Sequence, residues 1–277
     1  MQVLILGCGD IGTRAGLSLL DRGWRVAAAR RNPDRLPDRF HRLKVNLTDP
    51  ASFVALDTMA PDYVVVTPTP QSYNTPGYQA GFAGVAKTLA NQKWIAQCRR
   101  VIWVSSTRVY RESEGGWVDE HSPLNLDEAQ AGSMIAGEAA IRRTATATII
   151  RPAGVYGDPE GMLMRRLQAG QGGTTGALYG NRIHREDLAR LIVHCMDRDA
   201  AGQSVPPTVV GADHDQTPTH EIEDWLADQI GVTLARPTDP SPLRAHRRCK
   251  NALLERIGFR LSYPTWREGY EATLGQR

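Results

Sequence analysis

The chain has 277 residues, 41% of them hydrophobic and 23% charged, with a net charge of +3. These are the proportions of a globular protein with room for one large α/β unit, or one unit plus a small lobe. So small a basic excess argues against a nucleic-acid partner or a membrane surface. Four cysteines with no C-x-x-C pair argue against a metal centre or a disulfide framework.

In chain order, Gln2-Val3-Leu4-Ile5-Leu6 is an apolar strand running into Gly7-Cys8-Gly9-Asp10-Ile11-Gly12. A strand feeding a G-x-G-x-x-G turn that opens a helix, here near Thr13, is what a dinucleotide pyrophosphate needs. Gly7 permits the tight turn, Gly9 lets the backbone approach the phosphates, and Gly12 lets the helix pack on the strand. Asp10 and Ile11 complete the phosphate-facing turn, and the helix N-terminus offers N–H groups to the anion. A strand beginning at residue 2 and no apolar run near the ~20 residues of a membrane span give the expectation of a cytoplasmic protein.

A helix is expected over 14–21, closed by Gly23, and a second strand over 24–29. At the end of that strand an acidic residue would select NAD by bonding the ribose hydroxyls. Here Arg30-Arg31-Asn32-Pro33 follows, with no carboxylate. Two guanidinium groups suit a 2′-phosphate, so NADP is the expected coenzyme and NAD the lesser alternative. A weaker third strand covers 43–46. It places Asn46 at the adenine edge, with Leu47 beside it. The fully apolar run 62–67 is a buried strand whose end, Thr67-Pro68-Thr69, would lie along the coenzyme. A helix over 78–97, a strand over 101–105 ending on Ser105, a helix over 126–144 and a strand over 148–151 follow.

The rhythm changes after Pro152. A glycine-rich stretch, 154–180, carries a short helix over 162–168. Helix 185–196 and strand 208–210 come next. Thr217 is the expected N-cap, with Pro218 in the first helical position, of a helix running to about 230. The tail holds a helix ending near Gly258. Strands alternating with helices imply a doubly wound parallel sheet, a Rossmann-type α/β fold. The expected division is an NAD(P)-binding domain over 1–153 and a small α+β substrate lobe over 154–277 that adds late elements to the sheet.

Several further pieces stand in a specific order: Val104-Ser105-Ser106-Thr107-Arg108-Val109-Tyr110, Ile150-Arg151-Pro152-Ala153-Gly154-Val155-Tyr156-Gly157, Asn181-Arg182-Ile183-His184-Arg185-Glu186-Asp187, and Tyr263-Pro264-Thr265-Trp266-Arg267-Glu268-Gly269. With the opening glycine turn, they make the chain resemble the extended short-chain dehydrogenase/reductase family in its epimerase/dehydratase branch, over nearly its whole length. The resemblance implies a Ser/Thr–Tyr–Lys catalytic set, with the serine at Ser106. It also implies a small polar or nucleotide-sugar-like substrate, and helices that pair two subunits in many relatives; monomer and homodimer both remain open.

The Tyr-x-x-x-Lys pair is missing. Glu138 fits the glutamate that follows the lysine by four, which puts Met134 in the lysine slot and Gln130 in the tyrosine slot. Glutamine cannot titrate, and methionine can neither donate nor carry charge. None of the eight tyrosines has a lysine four residues on. Positioned proton transfer is typically worth ~10²–10⁴ in rate. Tyr156 and His184 are the candidates for a replacement acid or base, each against a packing or helix-capping role. Arg165, Arg166 and Arg182 would take a phosphate or carboxylate if they face the substrate. The sequence therefore reads as an atypical NADP-dependent oxidoreductase or epimerase-like enzyme. The alternative is a non-catalytic NADP(H)-binding redox sensor.

Overall fold

The computed structural model describes residues 1–173, 178–237 and 246–275. The chain packs as two compact units, each assembled from three stretches. The first comprises Met1–Val109, Leu124–Arg151 and Leu188–Val209, and the second Tyr110–Pro123, Pro152–Asp187 and Val210–Arg277. A single cut at 153/154 follows one of these crossings; the chain passes back and forth at others.

A seven-stranded sheet carries the first unit, and its last two strands in chain order end on residues of the second. Its strands are β1 (Gln2–Leu6), β2 (Arg25–Arg30), β3 (His41–Lys44), β4 (Tyr63–Val66), β5 (Arg100–Val104), β7 (Ala147–Pro152) and β10 (Thr208–Gly211), in the order β10-β7-β5-β4-β1-β2-β3. The pairs β3–β2, β2–β1, β1–β4, β4–β5 and β5–β7 are all parallel. Val3 to Leu6, Tyr63 to Val66 and Val101 to Trp103 are fully buried, as expected of strands covered on both faces. The order reverses at β1, whose neighbours are β2 and β4. The crevice outside the carboxyl ends of the strands at such a reversal is where ligands bind in this architecture.

The helix after β1, α1 (Asp10–Asp21), begins at Asp10, earlier than the 14–21 expected. The expected helix over 78–97 is broken up. It consists of α2 (Thr75–Tyr78), a wide turn over Gln79–Gly84 and α3 (Val85–Ala90), with one further turn at Ile95–Gln97. The glycines explain the break: a Cβ on Gly77 would lie 2.2 Å from the Ser72 carbonyl oxygen, and one on Gly81 2.3 Å from that of Thr69. Close approach to the chain after β4 is bought with residues of poor helix propensity. The helix expected over 126–144 is α4 (Ala129–Thr144).

The second unit holds two short parallel pairs that the alternation pattern did not reveal. One is β6 (Trp117–Val118) with β11 (Arg248–Cys249), the other β8 (Gly154–Tyr156) with β9 (Arg182–His184). Its helices are α5 (Met162–Gln168), α7 (Thr219–Ile230), α8 (Ala252–Arg256) and α9 (Trp266–Leu274); α6 (Arg185–Ala200) starts in it. Tyr156, Met164, Leu167, Ile222, Leu226, Trp266 and Tyr270 form its core.

Thr217 does not cap α7. Pro218 takes the N-cap position, while the Thr217 hydroxyl donates to Asp215 and accepts from the Trp266 indole N–H. Helix α9 was not expected, although its start was legible. Thr265 and Glu268 make a reciprocal capping box. The Asp187 carboxylate takes the N–H groups of Ser262 and Tyr263 at 2.7 and 2.9 Å, fixing the chain as it approaches that cap.

Candidate active site

A groove of about 530 Å³ opens in the first unit, at the carboxyl ends of β1 to β4. Its walls are Gly7, Cys8 and Gly9 after β1; Arg30, Arg31, Asn32 and Arg35 after β2; Val45 to Thr48 after β3; and Thr67, Thr69, Pro70 and Gln71 after β4. Gly81 and Val85 close one side. Parallel strands bring these loops to one edge although they are distant in sequence.

The three glycines of the opening turn play different parts. Gly7 has φ +73, and a Cβ there would stand 2.7 Å from the Thr67 carbonyl oxygen. The Gly7 and Cys8 N–H groups both donate to the Ala29 carbonyl, and the Thr67 hydroxyl donates to the Gly7 carbonyl at 2.8 Å. The turn is thereby tied to β2 and β4. Gly12 serves packing, since a Cβ there would meet Ile5 at 2.9 Å and the Cys8 sulfur at 3.2 Å. Gly9 has no such reason within the chain. The nearest atom to its Cβ would be the Gly7 carbonyl oxygen at 3.8 Å. The space in front of Gly9 is a cradle on the groove wall, at the start of a 12-residue helix whose first N–H groups lack helical acceptors. A pyrophosphate fits that cradle.

The same groove is lined by Arg30, Arg31 and Arg35. No described carboxylate pairs with them, and no acidic residue lines the groove. Arg35 was missed in the sequence. It arrives because Asn32 accepts the Asp34 N–H and starts a single turn, Pro33–Arg35, that folds the chain back after β2. Cys8, Asn32, Val45, Thr48, Pro70, Gln71, Gly81 and Val85 are the other wall residues not anticipated. They carry no chemical signature of their own and reach the groove through loop geometry. Cys8 is fully buried, and burial pushes its thiol up to about 11, so it is a packing group there.

Five expected coenzyme contacts do not line the groove. The Asp10 carboxylate bonds Arg14 one turn on. Ile11 and Gly12 lie within α1, and Pro68 is buried. Ser105 donates its hydroxyl proton to Glu138 at 2.6 Å. Glu138, 3% exposed, is also paired with Arg151, 4% exposed, at 2.6 Å. This buried network ties the end of β5 to α4 and β7, and uses Ser105 for that purpose.

Ser106 is half-buried, and its hydroxyl oxygen accepts the Arg108 N–H at 3.1 Å. The Arg108 guanidinium pairs with Glu128 and lies 5.0 Å from the centre of the Tyr78 ring. On α4, Gln130 is half-buried, and Met134, the residue expected in the lysine slot, is only 2% exposed.

Tyr156 and His184 come together in the second unit, paired in register across β8 and β9. Both are built into packing. The Tyr156 hydroxyl donates to the Thr265 carbonyl at 3.3 Å, and a Cβ on Gly269 would overlap it. Burial first, then the Asp213 charge, pushes its pKa upward, which is the wrong direction for a base at neutral pH. The His184 Nδ1 accepts the Glu186 N–H at the start of α6, and its ring packs on Tyr263 with centroids 3.9 Å apart. Gly157, at φ +106, lies against its Nε2. The arrangement is that of a helix-capping histidine.

Two of the three arginines expected for an anion are committed elsewhere. Arg166 pairs with Glu223, and Arg182 donates to the Tyr270 hydroxyl and the Gly180 carbonyl; Arg165 is exposed. Residues 174–177 of the glycine-rich stretch lie outside the described residues.

A profile of the NAD(P)H-binding family matches residues 7–199. Among solved structures, a provisionally named NAD-dependent epimerase/dehydratase from Methylobacillus flagellatus is 25% identical, covers 99% of this chain and 98% of its own, and superposes with a TM-score of 0.81. The human epimerase family protein SDR39U1 (isoform 2), solved with NADPH, is 18% identical with a TM-score of 0.79 and full coverage of both chains. MoeE5, solved with UDP-glucuronic acid and NAD, is 17% identical with a TM-score of 0.77, covering 98% of this chain and 97% of its own. No curated protein matches the chain.

Proposed function

The chain belongs to the NAD(P)H-binding family, as an atypical extended short-chain dehydrogenase/reductase of the epimerase/dehydratase type, and from that premise we propose that it is an NADP-preferring oxidoreductase. The observation that carries this reading is the groove itself, whose walls include both an open cradle at Gly9 and three arginines without described carboxylate partners.

In this reading the Gly9 backbone and the α1 N-terminus hold the pyrophosphate. Arg30, Arg31 and Arg35 hold a 2′-phosphate, whose three oxygens accept charge-assisted bonds that a ribose hydroxyl cannot match. NADPH has a known solved complex with SDR39U1, which accords with that choice. When bound, the coenzyme supplies hydride at its nicotinamide ring. Ser106 orients the oxygen of a small polar or nucleotide-sugar-like substrate through its hydroxyl. The Ser106 hydroxyl oxygen accepts the Arg108 N–H, and its own proton serves as the donor to that substrate oxygen.

Calorimetric titration tests the coenzyme reading: NADP(H) is expected to bind at least tenfold more tightly than NAD(H). Equal affinity removes the arginine argument, and no binding of either removes the whole reading. The buried Met134 and the non-titrating Gln130 favour a second reading, a protein that binds NADP(H) without turnover. Single-turnover oxidation of NADPH with a panel of carbonyl compounds separates the two. Turnover abolished by Ser106→Ala supports the enzyme; tight binding with no turnover on any compound supports the sensor.

A further inference from the structure

We propose that Gln71 and Thr48 form a clasp over the coenzyme groove, and that this clasp sets how fast the coenzyme enters and leaves. The inference rests on the coenzyme reading above and concerns the exchange of that ligand.

The order of the strands points to it. Thr48 follows β3, Gln71 follows β4, and both line the groove. In the sheet β3 and β4 are not neighbours, because β2 and β1 lie between them. Neighbouring strands stand about 4.8 Å apart, so three steps separate the two ends by roughly 14 Å. Yet the Gln71 Nε2 donates to the Thr48 hydroxyl oxygen. The two loops and the bond between them therefore arch across the carboxyl ends of β1 and β2. Gly9 stands after the first of these strands and Arg31 after the second, and both are on the groove wall.

Both halves of the arch are braced. After β3, Leu47 reaches back past β2, so that its Cδ1 would stand 3.1 Å from a Cβ on Gly7. The Thr48 N–H and hydroxyl donate to the Asn46 Oδ1 at 3.3 and 3.0 Å. The Ser52 hydroxyl in turn holds the Asn46 backbone. With its proton committed to Asn46, the Thr48 oxygen is an acceptor, and an amide N–H is a donor that suits it. After β4, the Gln71 N–H donates to the Gly77 carbonyl at 3.1 Å, in the first turn of α2. Asn74 caps that turn by accepting the Gly77 N–H at 2.9 Å. The bond itself lies in solvent. Gln71 is exposed, whereas Cys8 and Val45 on the same walls are buried. The clasp is at the rim, with the groove floor beneath it.

An exposed hydrogen bond between neutral groups is worth about tenfold at most in an equilibrium constant. The clasp therefore opens readily, and it slows entry and exit by a modest factor. A bond made over the ligand, and equally made without it, changes both rates together and leaves the affinity alone. A side chain that held the coenzyme directly would instead change the dissociation rate and the affinity.

The test is stopped-flow binding of NADPH to the whole chain, followed by coenzyme fluorescence, with displacement by NADP⁺ giving the dissociation rate. Gln71→Ala removes an exposed side chain. It is expected to raise the association and dissociation rates alike, each by about three- to tenfold, with the dissociation constant unchanged within about twofold. Unchanged rates overturn the proposal and leave the coenzyme reading standing; so does a weaker affinity carried by dissociation alone. No binding of NADPH by the parent protein overturns both. A second variant, Thr48→Cys with Gln71→Cys, allows the rim to be joined by a short bis-maleimide, since the four native cysteines are buried. Joined after loading, the protein is expected to retain NADPH through gel filtration; joined while empty, it is expected to exclude NADPH. Free exchange in the joined protein overturns the clasp.

Discussion

Replacing Gly9 by alanine separates coenzyme binding from folding. The added methyl would meet nothing closer than the Gly7 carbonyl oxygen at 3.8 Å, an ordinary contact, and Gly9 sits in extended backbone with φ −95. Folding should therefore be unchanged, or gain up to about 0.4–1 kcal/mol because alanine loses less freedom than glycine. The methyl does occupy the cradle proposed for the pyrophosphate. Overpacking of that kind costs about 1–3 kcal/mol, which is roughly a 5- to 150-fold loss of affinity. Gly7→Ala is the control in the opposite sense. It forces a left-handed φ of +73 and a 2.7 Å clash with a backbone carbonyl. The left-handed term alone is worth about 1–2 kcal/mol, so its melting temperature should drop by several degrees. The assay pairs thermal unfolding without coenzyme with calorimetric titration of NADPH. Gly9→Ala binding NADPH as well as the parent would refute the reasoning. So would a loss of stability matching that of Gly7→Ala, since the space in front of Gly9 would then belong to the fold.

Arg31→Ala and Arg35→Ala should each weaken NADP⁺ by about 1.5–3 kcal/mol, the worth of a hydrogen bond to a charged group, and leave NAD⁺ within twofold; equal losses for both coenzymes in the same titration would count against a 2′-phosphate site. Glu138→Ala leaves Arg151 buried without its carboxylate, and urea unfolding should show a loss of about 3–5 kcal/mol, the usual cost of breaking a buried pair on one side. Asp213 is fully buried, and desolvation, opposed by the Asp215 N–H and Arg182, raises its pKa to about 8. Folding therefore favours its protonated form, so its contribution is fully present below about pH 4 and is lost as pH rises through about 8. Asp213→Asn should raise the melting temperature more at pH 9 than at pH 5, and a pH-independent change would show that the carboxyl is not held neutral.

Much of the first unit follows from local sequence. Four apolar runs, a glycine turn opening a helix and the absence of a carboxylate after β2 are short-range facts, and they specify a parallel sheet with a coenzyme groove at its carboxyl edge. That no tyrosine has a lysine four residues on is also a property of the string alone, because a residue that cannot titrate gains no proton chemistry from its surroundings. The capping box of α9 is equally local, since Thr265 and Glu268 stand three residues apart.

Other features depend on what each residue meets. Tyr156 and His184 have the right chemistry on paper, yet one is locked to a backbone carbonyl in a core and the other caps a helix. Whether a phenol or an imidazole can move a proton depends on burial and on the partner already holding it, and both come from residues far along the chain. Ser105 and Ser106 are neighbours in sequence, but strand geometry sends the first to the buried Glu138 and leaves the second half-exposed. Arg35, Thr48 and Gln71 reach the groove through turns after three different strands, with nothing in their own identity to mark them. Residue type sets which bonds a side chain is able to make; the packing of distant segments sets which of those bonds are already spent.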